Sequence, residues 1–154
     1  MNVPIETTMT AADHDAAFME ISFLLQMLAQ TVEEVIGNPA PLGVSAGRAM
    51  AAKLPLYLKS PDMKSVLEAV LPILADGMTY TCSVEGNTGA LEVGHCVIRD
   101  LAAKQGEAPG SRLCKLYHHF LSGMFSQLLT KQCRVQETAV GPTCTLSVVS
   151  VQAK

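Results

Sequence analysis

Residues 111–151 have the sequence SRLCKLYHHFLSGMFSQLLTKQCRVQETAVGPTCTLSVVSV, and the spacing of the apolar side chains changes part-way along this segment. As far as about Thr130 the apolar residues recur every three to four positions, which is the period of an amphipathic helix. In 133–138 and 143–151 they alternate instead, as in strands that bury one face. Gly141-Pro142 supplies the turn between these strands. The segment therefore predicts a helix over about 111–130 followed by a β-hairpin.

The chain before this segment predicts three more helices and a second β-hairpin. Alternation in 79–85 and 90–98 indicates two strands joined by a short loop at 86–89. Residues 103–110 are rich in Gly, Lys, Glu and Pro, and they are predicted to form a loop. The helices predicted from apolar spacing lie at about 13–36, 44–58 and 62–75.

This order of elements predicts an α+β fold in which an antiparallel sheet of about four strands packs against helices. Asp13 or Asp15 is the predicted N-cap of the first helix. Residues 1–10 are predicted to be a flexible tail, and 11–154 a single ligand-binding domain. The N-terminal helices are predicted to form a homodimer interface, because the apolar stripe of the first helix is wider than one small core needs.

The composition indicates a chain with apolar surface to spare. It is 49% hydrophobic and 16% charged, against about 25% charged in an average soluble protein. The net charge of −3, with no run of Lys or Arg, speaks against a nucleic-acid partner. The apolar stretches around 21–28 and 66–74 are interrupted and too short to span a bilayer, which predicts no membrane insertion. No signal-peptide pattern is visible, so we predict a cytoplasmic protein whose five cysteines are reduced.

Side chains in the C-terminal helix and hairpin have the chemistry of zinc ligands. Cys114 and His118 lie one turn apart on the helix face that meets the sheet, while Glu137 and Cys144 are predicted to point inward from the two strands. Two thiolates, a carboxylate and an imidazole can complete a tetrahedral zinc site. Inward cysteines are, however, more often small hydrophobic residues, and Glu137 can keep its carboxylate in water at the strand end. The residues alone leave both interpretations open.

The segments 113–123, LCKLYHHFLSG, and 133–148 resemble the closing helix and hairpin of the 4-vinyl reductase, or hydrocarbon-binding, domain family. The small-residue stretch at 43–48 is similar to an earlier helix start in such domains. The resemblance covers about 43–151. It implies a compact α+β domain related in fold to TRAPP subunits and to the sensor domains of phenol-responsive regulators. It also implies dimerisation through N-terminal helices and an apolar pocket between the helices and the sheet.

The resemblance further implies a zinc ligand set, with one departure. In the phenol-responsive regulators of this family, zinc is bound by the helix cysteine, the glutamate and both hairpin cysteines. Carried over to this sequence, these positions are Cys114, Glu137 and Cys144, but the remaining cysteine is replaced by Val140. Zinc is therefore a candidate cofactor only if His118 or Cys96 takes the vacant place.

The predicted function is non-catalytic binding or sensing of a small apolar or aromatic molecule. We expect a cavity of a few hundred Å³ between the C-terminal helix and the sheet, as is usual for small-ligand sites. Its predicted lining residues are Tyr80, Val93, His95, Tyr117, Leu121, Met124 and Phe125. The alternative is a structural or assembly module, for example an accessory factor in tetrapyrrole synthesis or complex formation. An enzyme reducing a vinyl group is disfavoured, because the sequence has no cofactor-binding motif.

Overall fold

A computed structural model describes residues 10–59 and 61–151, which form five helices and a four-stranded antiparallel sheet. The predicted α+β class is therefore confirmed. The helices are α1 (Ala11–Ile36), α2 (Ala40–Ala51), α3 (Met63–Val70), α4 (Val97–Lys104) and α5 (Arg112–Leu129). The strands are β1 (Met78–Glu85), β2 (Thr88–Cys96), β3 (Gln132–Ala139) and β4 (Cys144–Val151). The predicted flexible tail lies outside the described residues, except for Thr10.

The sheet consists of two hairpins joined through their inner strands, in the order β1-β2-β4-β3. At the centre of the sheet Leu91 of β2 lies opposite Leu146 of β4, and Val135 of β3 lies opposite Val148. These side chains are all at most 4% exposed. Alternate residues therefore give the sheet one buried face, as the sequence pattern predicts.

Helix α5 covers this buried face and also supplies hydrogen-bond acceptors for backbone N–H groups of the edge strand β3. Phe125 on α5 is fully buried in the core between the helix and the sheet. The backbone N–H of Val135 donates to Ser122 Oγ at 2.9 Å, and that of Cys133 donates to Ser126 Oγ at 2.8 Å. Two buried serines thus accept hydrogen bonds from edge N–H groups that would otherwise lack partners.

Helix α2 packs on the other face of α5 through glycine contacts. A Cβ atom on Gly47 would overlap the carbonyl oxygen of Phe120, and one on Gly123 would overlap that of Val44. A Cβ on Gly43 would lie 2.7 Å from the Cβ of His119. Because these positions lack side chains, the two helix backbones approach more closely than ordinary helix packing allows.

Several predicted helix bounds differ from the structure, and in one case proline gives the reason. Helix α2 ends at Ala51 rather than 58, since Pro55 disfavours helical backbone in the residue before it. Helix α3 ends at Val70 rather than 75, shortly before Pro72. The N-cap of α1 is Thr10 rather than Asp13 or Asp15.

Helix α4 is absent from the sequence-based prediction, which extended the second strand to residue 98 and placed a loop from 103. The β-branched pair Val97-Ile98 continues the apolar alternation of β2, so the pattern alone does not mark the change to helix. The next residues, Leu101, Ala102 and Ala103, are strong helix formers. The high helix propensity of these residues is the sequence feature that could have predicted this short helix.

Helix α1 packs against its own chain through polar contacts and exposes its apolar residues. Its buried residues are Ser22, Gln26 and Ala29. The Gln26 amide donates to Glu107 Oε1 at 2.7 Å, and Glu33 forms an ion pair with Arg112. The exposed large apolar side chains of α1 are Phe18, Ile21, Phe23, Leu24, Leu25, Met27, Leu28, Val35 and Ile36. Across 10–59 and 61–151, no helix has the length and apolar character needed to cross a bilayer.

Candidate functional site

A small enclosed cavity lies between the N-terminal half of α5, α4 and one end of the sheet. Its volume is about 20 Å³, which is the space of roughly one water molecule. The candidate zinc ligands Cys114, His118, Glu137 and Cys144 all line it. The predicted pocket residues Tyr80, Val93 and Tyr117 line the same cavity. The structure therefore brings together two groups of residues that the sequence assigned to separate sites.

The elements that carry these side chains explain why they meet. Cys114 and His118 are one turn apart on α5, on the helix face that covers the sheet. Val93 lies directly opposite Cys144 where β2 pairs with β4. Glu137 comes from the end of β3, next to a register shift in its pairing with β4.

Other predicted pocket residues lie elsewhere, and the cavity is smaller than predicted. Leu121, Met124 and Phe125 are at most 1% exposed and belong to the packed core, outside the lining of the cavity. Leu91 and Leu146 fill the sheet face beneath that part of α5, so no void of a few hundred Å³ remains there.

His95 is also placed differently from the prediction. The alternating burial of β2 breaks after Val93, because both Gly94 and His95 are exposed. A register shift in the pairing of β1 with β2 accompanies this break. The His95 side chain is 57% exposed and lies 3.5 Å from Asp100, with Nδ1 facing Oδ2.

Arg99 is a charged site residue that the sequence analysis missed, because it lies on the unpredicted helix α4. It lines the cavity, and its Nη1 lies 3.6 Å from the Sγ of Cys144. Its Nη2 donates to the carbonyl oxygen of Gly94. The guanidinium thus places a fixed positive charge beside one of the candidate zinc ligands.

Burial controls the protonation of the side chains around the cavity. Removal from water lowers the pKa of His118 to about 4, with a smaller contribution from nearby His119, so the imidazole is neutral at pH 7. Burial raises the pKa of the Cys114 thiol, which favours its protonated form. The pKa of Tyr80 is also raised by burial and by Tyr117.

The two tyrosines form a hydrogen-bonded pair at one wall of the cavity. Their hydroxyl oxygens are 3.0 Å apart, and the Tyr80 hydroxyl also donates to Met78 Sδ at 2.6 Å. The Tyr117 ring stacks on Phe120 with a centroid distance of 5.9 Å. These contacts hold Tyr117 between the cavity and the outer surface of α5.

Glu137 is the one cavity residue with a buried polar atom that lacks a partner in the described part of the chain. Its Oε2 is buried and accepts no hydrogen bond there. Nδ1 of His118 lies 3.7 Å from this oxygen. That separation is too long for a hydrogen bond. The Glu137 side chain as a whole is 32% exposed, so the carboxylate also reaches the surface.

These residues do not fit a tetrahedral zinc site as they are arranged. Within 10–59 and 61–151, no group of three or more His, Cys, Asp or Glu side chains could hold a metal ion. Cys144 faces the Arg99 guanidinium, and Val140 offers no ligand.

An open apolar groove adjoins the cavity on the far side of Tyr117. It lies between α1, α2 and α5 and has a volume of about 470 Å³. Leu28, Leu42 and Phe120 are among the residues that line it. Tyr117 and Ile98 line both the groove and the cavity, so these two side chains form the partition between the two spaces.

Comparison with known proteins finds solved structures that share this arrangement of helices and sheet. The crystal structure of the phenol-responsive sensory domain of the transcription activator PoxR with phenol superposes with a TM-score of 0.60. The two chains share a fold. The match covers 84% of this chain and 74% of that chain, at 14% sequence identity. No family model and no curated protein matches the sequence, so membership of the 4-vinyl reductase family stays a prediction.

Proposed function

We propose that this chain is a sensing domain that binds a small apolar or aromatic molecule between α5 and the sheet. The observation that carries the proposal is that three of the predicted pocket residues, Tyr80, Val93 and Tyr117, line one cavity. The fold shared with a phenol-responsive sensory domain supports it. The domain acts by binding, without a catalytic step. A cytoplasmic location remains a prediction from the sequence.

The ligand enters from the apolar groove, because the enclosed cavity is too small to hold it. A benzene molecule occupies an apolar cavity of about 150 Å³, far more than the 20 Å³ present here. The groove, at about 470 Å³, is within the range of about 300–1,000 Å³ typical of small-ligand sites. Outward rotation of Tyr117 joins the two spaces, at the expense of its contact with Tyr80.

We also propose that the exposed apolar face of α1 binds a second copy of the chain. The centre of this face, around Leu24, has no charged residue between Glu20 and Glu33. Acidic residues flank this centre on both sides, and α1 has no Lys or Arg. An apolar centre with a polar rim is typical of protein interfaces. In a two-fold contact the uncharged centres of both copies meet.

Ligand binding to the full chain tests the sensing function. Thermal unfolding is followed with benzene, toluene, phenol and naphthalene, and native mass spectrometry detects small molecules that co-purify with the protein. A ligand at a hundred times its Kd stabilises the fold by about 2.7 kcal/mol. We expect a concentration-dependent rise in melting temperature with at least one of these molecules.

The alternative, an assembly module, gives a different result in the same experiments. It predicts no shift with any of the aromatic molecules and no co-purified ligand, while the oligomer persists. The exposed face of α1 would then be the functional feature, and the cavity only a packing defect.

A further inference from the structure

We propose that Glu137 recognises the ligand by accepting a hydrogen bond from its hydroxyl group, so that the domain selects apolar molecules that carry one hydroxyl. This inference rests on the proposed function. It replaces the metal-ligand role that the family resemblance implies for Glu137 with a role in ligand selection.

The first step is that one oxygen of the Glu137 carboxylate lacks a hydrogen-bond donor within the described part of the chain. Glu137 Oε2 is buried and has no hydrogen-bond partner in residues 10–59 and 61–151. More than about 90% of buried polar groups in folded proteins have a partner, because an unpaired one costs free energy. An acceptor left open at a cavity wall is available to a donor from outside the chain, either a water molecule or a bound ligand.

The second step is that the neighbouring donors are occupied elsewhere. Arg99 donates to Gly94 O and lies against Cys144 Sγ. The hydroxyl groups of Tyr80 and Tyr117 contact each other and Met78 Sδ. His118 is beyond hydrogen-bonding distance, at 3.7 Å. None of these groups reaches Glu137 Oε2.

The third step is the chemistry of the remaining cavity wall. Val93, Val140 and Leu146 offer only apolar surface, so the ligand body that fits here is apolar. A ligand cation is disfavoured by the Arg99 guanidinium, which faces the same space. A neutral hydroxyl on an apolar body satisfies Glu137 without placing a second positive charge beside Arg99.

The test uses a matched pair of ligands, phenol and toluene, which differ in a hydroxyl and a methyl group. Binding of both is measured by calorimetry to the full chain, to E137Q and to E137L. The matched control is E92Q, which makes the same change at an exposed carboxylate on β2. We expect the unmodified chain to prefer phenol about tenfold or more, as a hydrogen bond to a charged group allows. E92Q should keep this preference, and E137L should bind the two molecules about equally.

Stability of the ligand-free variants separates recognition from a structural role. Because Glu137 Oε2 has no internal partner, E137L should melt no lower than the unmodified chain. E137Q keeps an acceptor oxygen, so it should retain part of the preference for phenol even if E137L does not fold.

Three outcomes would overturn the inference, and they can be told apart. If both molecules bind equally to the unmodified chain, or E137L keeps the preference for phenol, Glu137 is not the recognising group although the sensing function stands. If zinc alone raises the melting temperature of the unmodified chain but not of E137L, the carboxylate is a metal ligand. If neither molecule binds and the panel of aromatics also fails, the proposed function itself falls.

Discussion

At the scale of single residues, His118 illustrates how burial beside a cavity changes the behaviour of a side chain. Its imidazole is 13% exposed, and burial lowers its pKa to about 4 from the ordinary value of 6.5. Between these values the unfolded chain takes up a proton that the folded chain does not. The contribution of His118 to stability is therefore complete above about pH 6.5 and is lost as the pH falls towards 4.

This linkage predicts the pH dependence of unfolding. Between pH 6.5 and pH 4, His118 should account for a loss of up to about 3 kcal/mol in the free energy of unfolding. Denaturant titrations at several pH values, on the unmodified chain and on H118Q, measure the difference. H14Q, at an exposed histidine of α1, is the control, and its free energy of unfolding should fall between pH 6.5 and pH 4 as much as that of the unmodified chain. If the free energy of unfolding of H118Q falls with pH as steeply as that of the unmodified chain, the prediction is wrong.

Tyr117 is the residue whose size decides whether the cavity and the groove are separate. Tyr117→Leu should join them and increase the affinity for larger aromatic molecules such as naphthalene, because the ring no longer has to move aside. Tyr117→Phe keeps the ring and removes only the hydroxyl contact with Tyr80, so it is the matched control. Calorimetric titration with naphthalene compares the two. Equal affinities in both variants would show that Tyr117 is not the barrier.

Convergence of Cys114, His118, Glu137 and Cys144 was predictable from the regular periods of the helix and the strands, whereas Leu121 and Phe125 on the same helix stripe lie in the core. The helix period puts Cys114 and His118 on one face, and the structure places both at the cavity. The period fails for His95, because a local break in strand alternation is not visible in the residue types. It also gave no indication of Arg99, which depends on a short helix that follows a strand directly.

At the scale of elements, the contact of α2 with α5 depends on the absence of side chains. Gly47→Ala should lower the free energy of unfolding by about 1–3 kcal/mol, since the added methyl group would overlap the backbone at Phe120. Gly141→Ala is the control, because the nearest atom to its Cβ would be 3.8 Å away. Denaturant unfolding compares the two variants. A Gly47 variant as stable as the control would mean that the helices move apart freely.

The proposed role of α1 can be tested with substitutions that leave the core intact. Ile21 and Leu24 are 59% and 57% exposed, so replacing both with Gln removes little packing within one chain. The double variant should shift the protein from dimer to monomer at tens of micromolar, as measured by light scattering. Tyr57→Gln, which changes a 91% exposed residue outside α1, should leave the mass unchanged. A monomeric unmodified chain would remove the dimer proposal.

Elements with long, regular patterns were predicted well, and short or proline-limited ones were not. The bounds of α5 and of the two C-terminal strands agree with the sequence prediction to within about two residues. The ends of α2 and α3 were predicted too late, because the apolar spacing continues past Ala51 and Val70 although the regular α-helices do not. For α2, the steric effect of Pro55 on the residue before it outweighed periodicity.

At the scale of the whole molecule, the α+β class followed from the order of elements, but the order of strands did not. The two hairpins are local, and their turns are visible in the sequence. The pairing of β2 with β4 joins residues far apart in the chain, and nothing in their composition specifies which strands meet. The volume of the cavity likewise depends on how α5 settles on the completed sheet, which no local pattern records.

The central pairing of β2 with β4 also determines when the protein can fold during its synthesis. β4 is made after the other described strands, yet it forms the middle of the sheet with Leu146 against Leu91. Until the ribosome has released β4, the β1–β2 hairpin keeps an apolar face and an open strand edge towards its surroundings. Closing this pair also requires a long loop, which slows folding. Every nascent chain therefore passes through a period in which this exposed face and edge make it prone to aggregation.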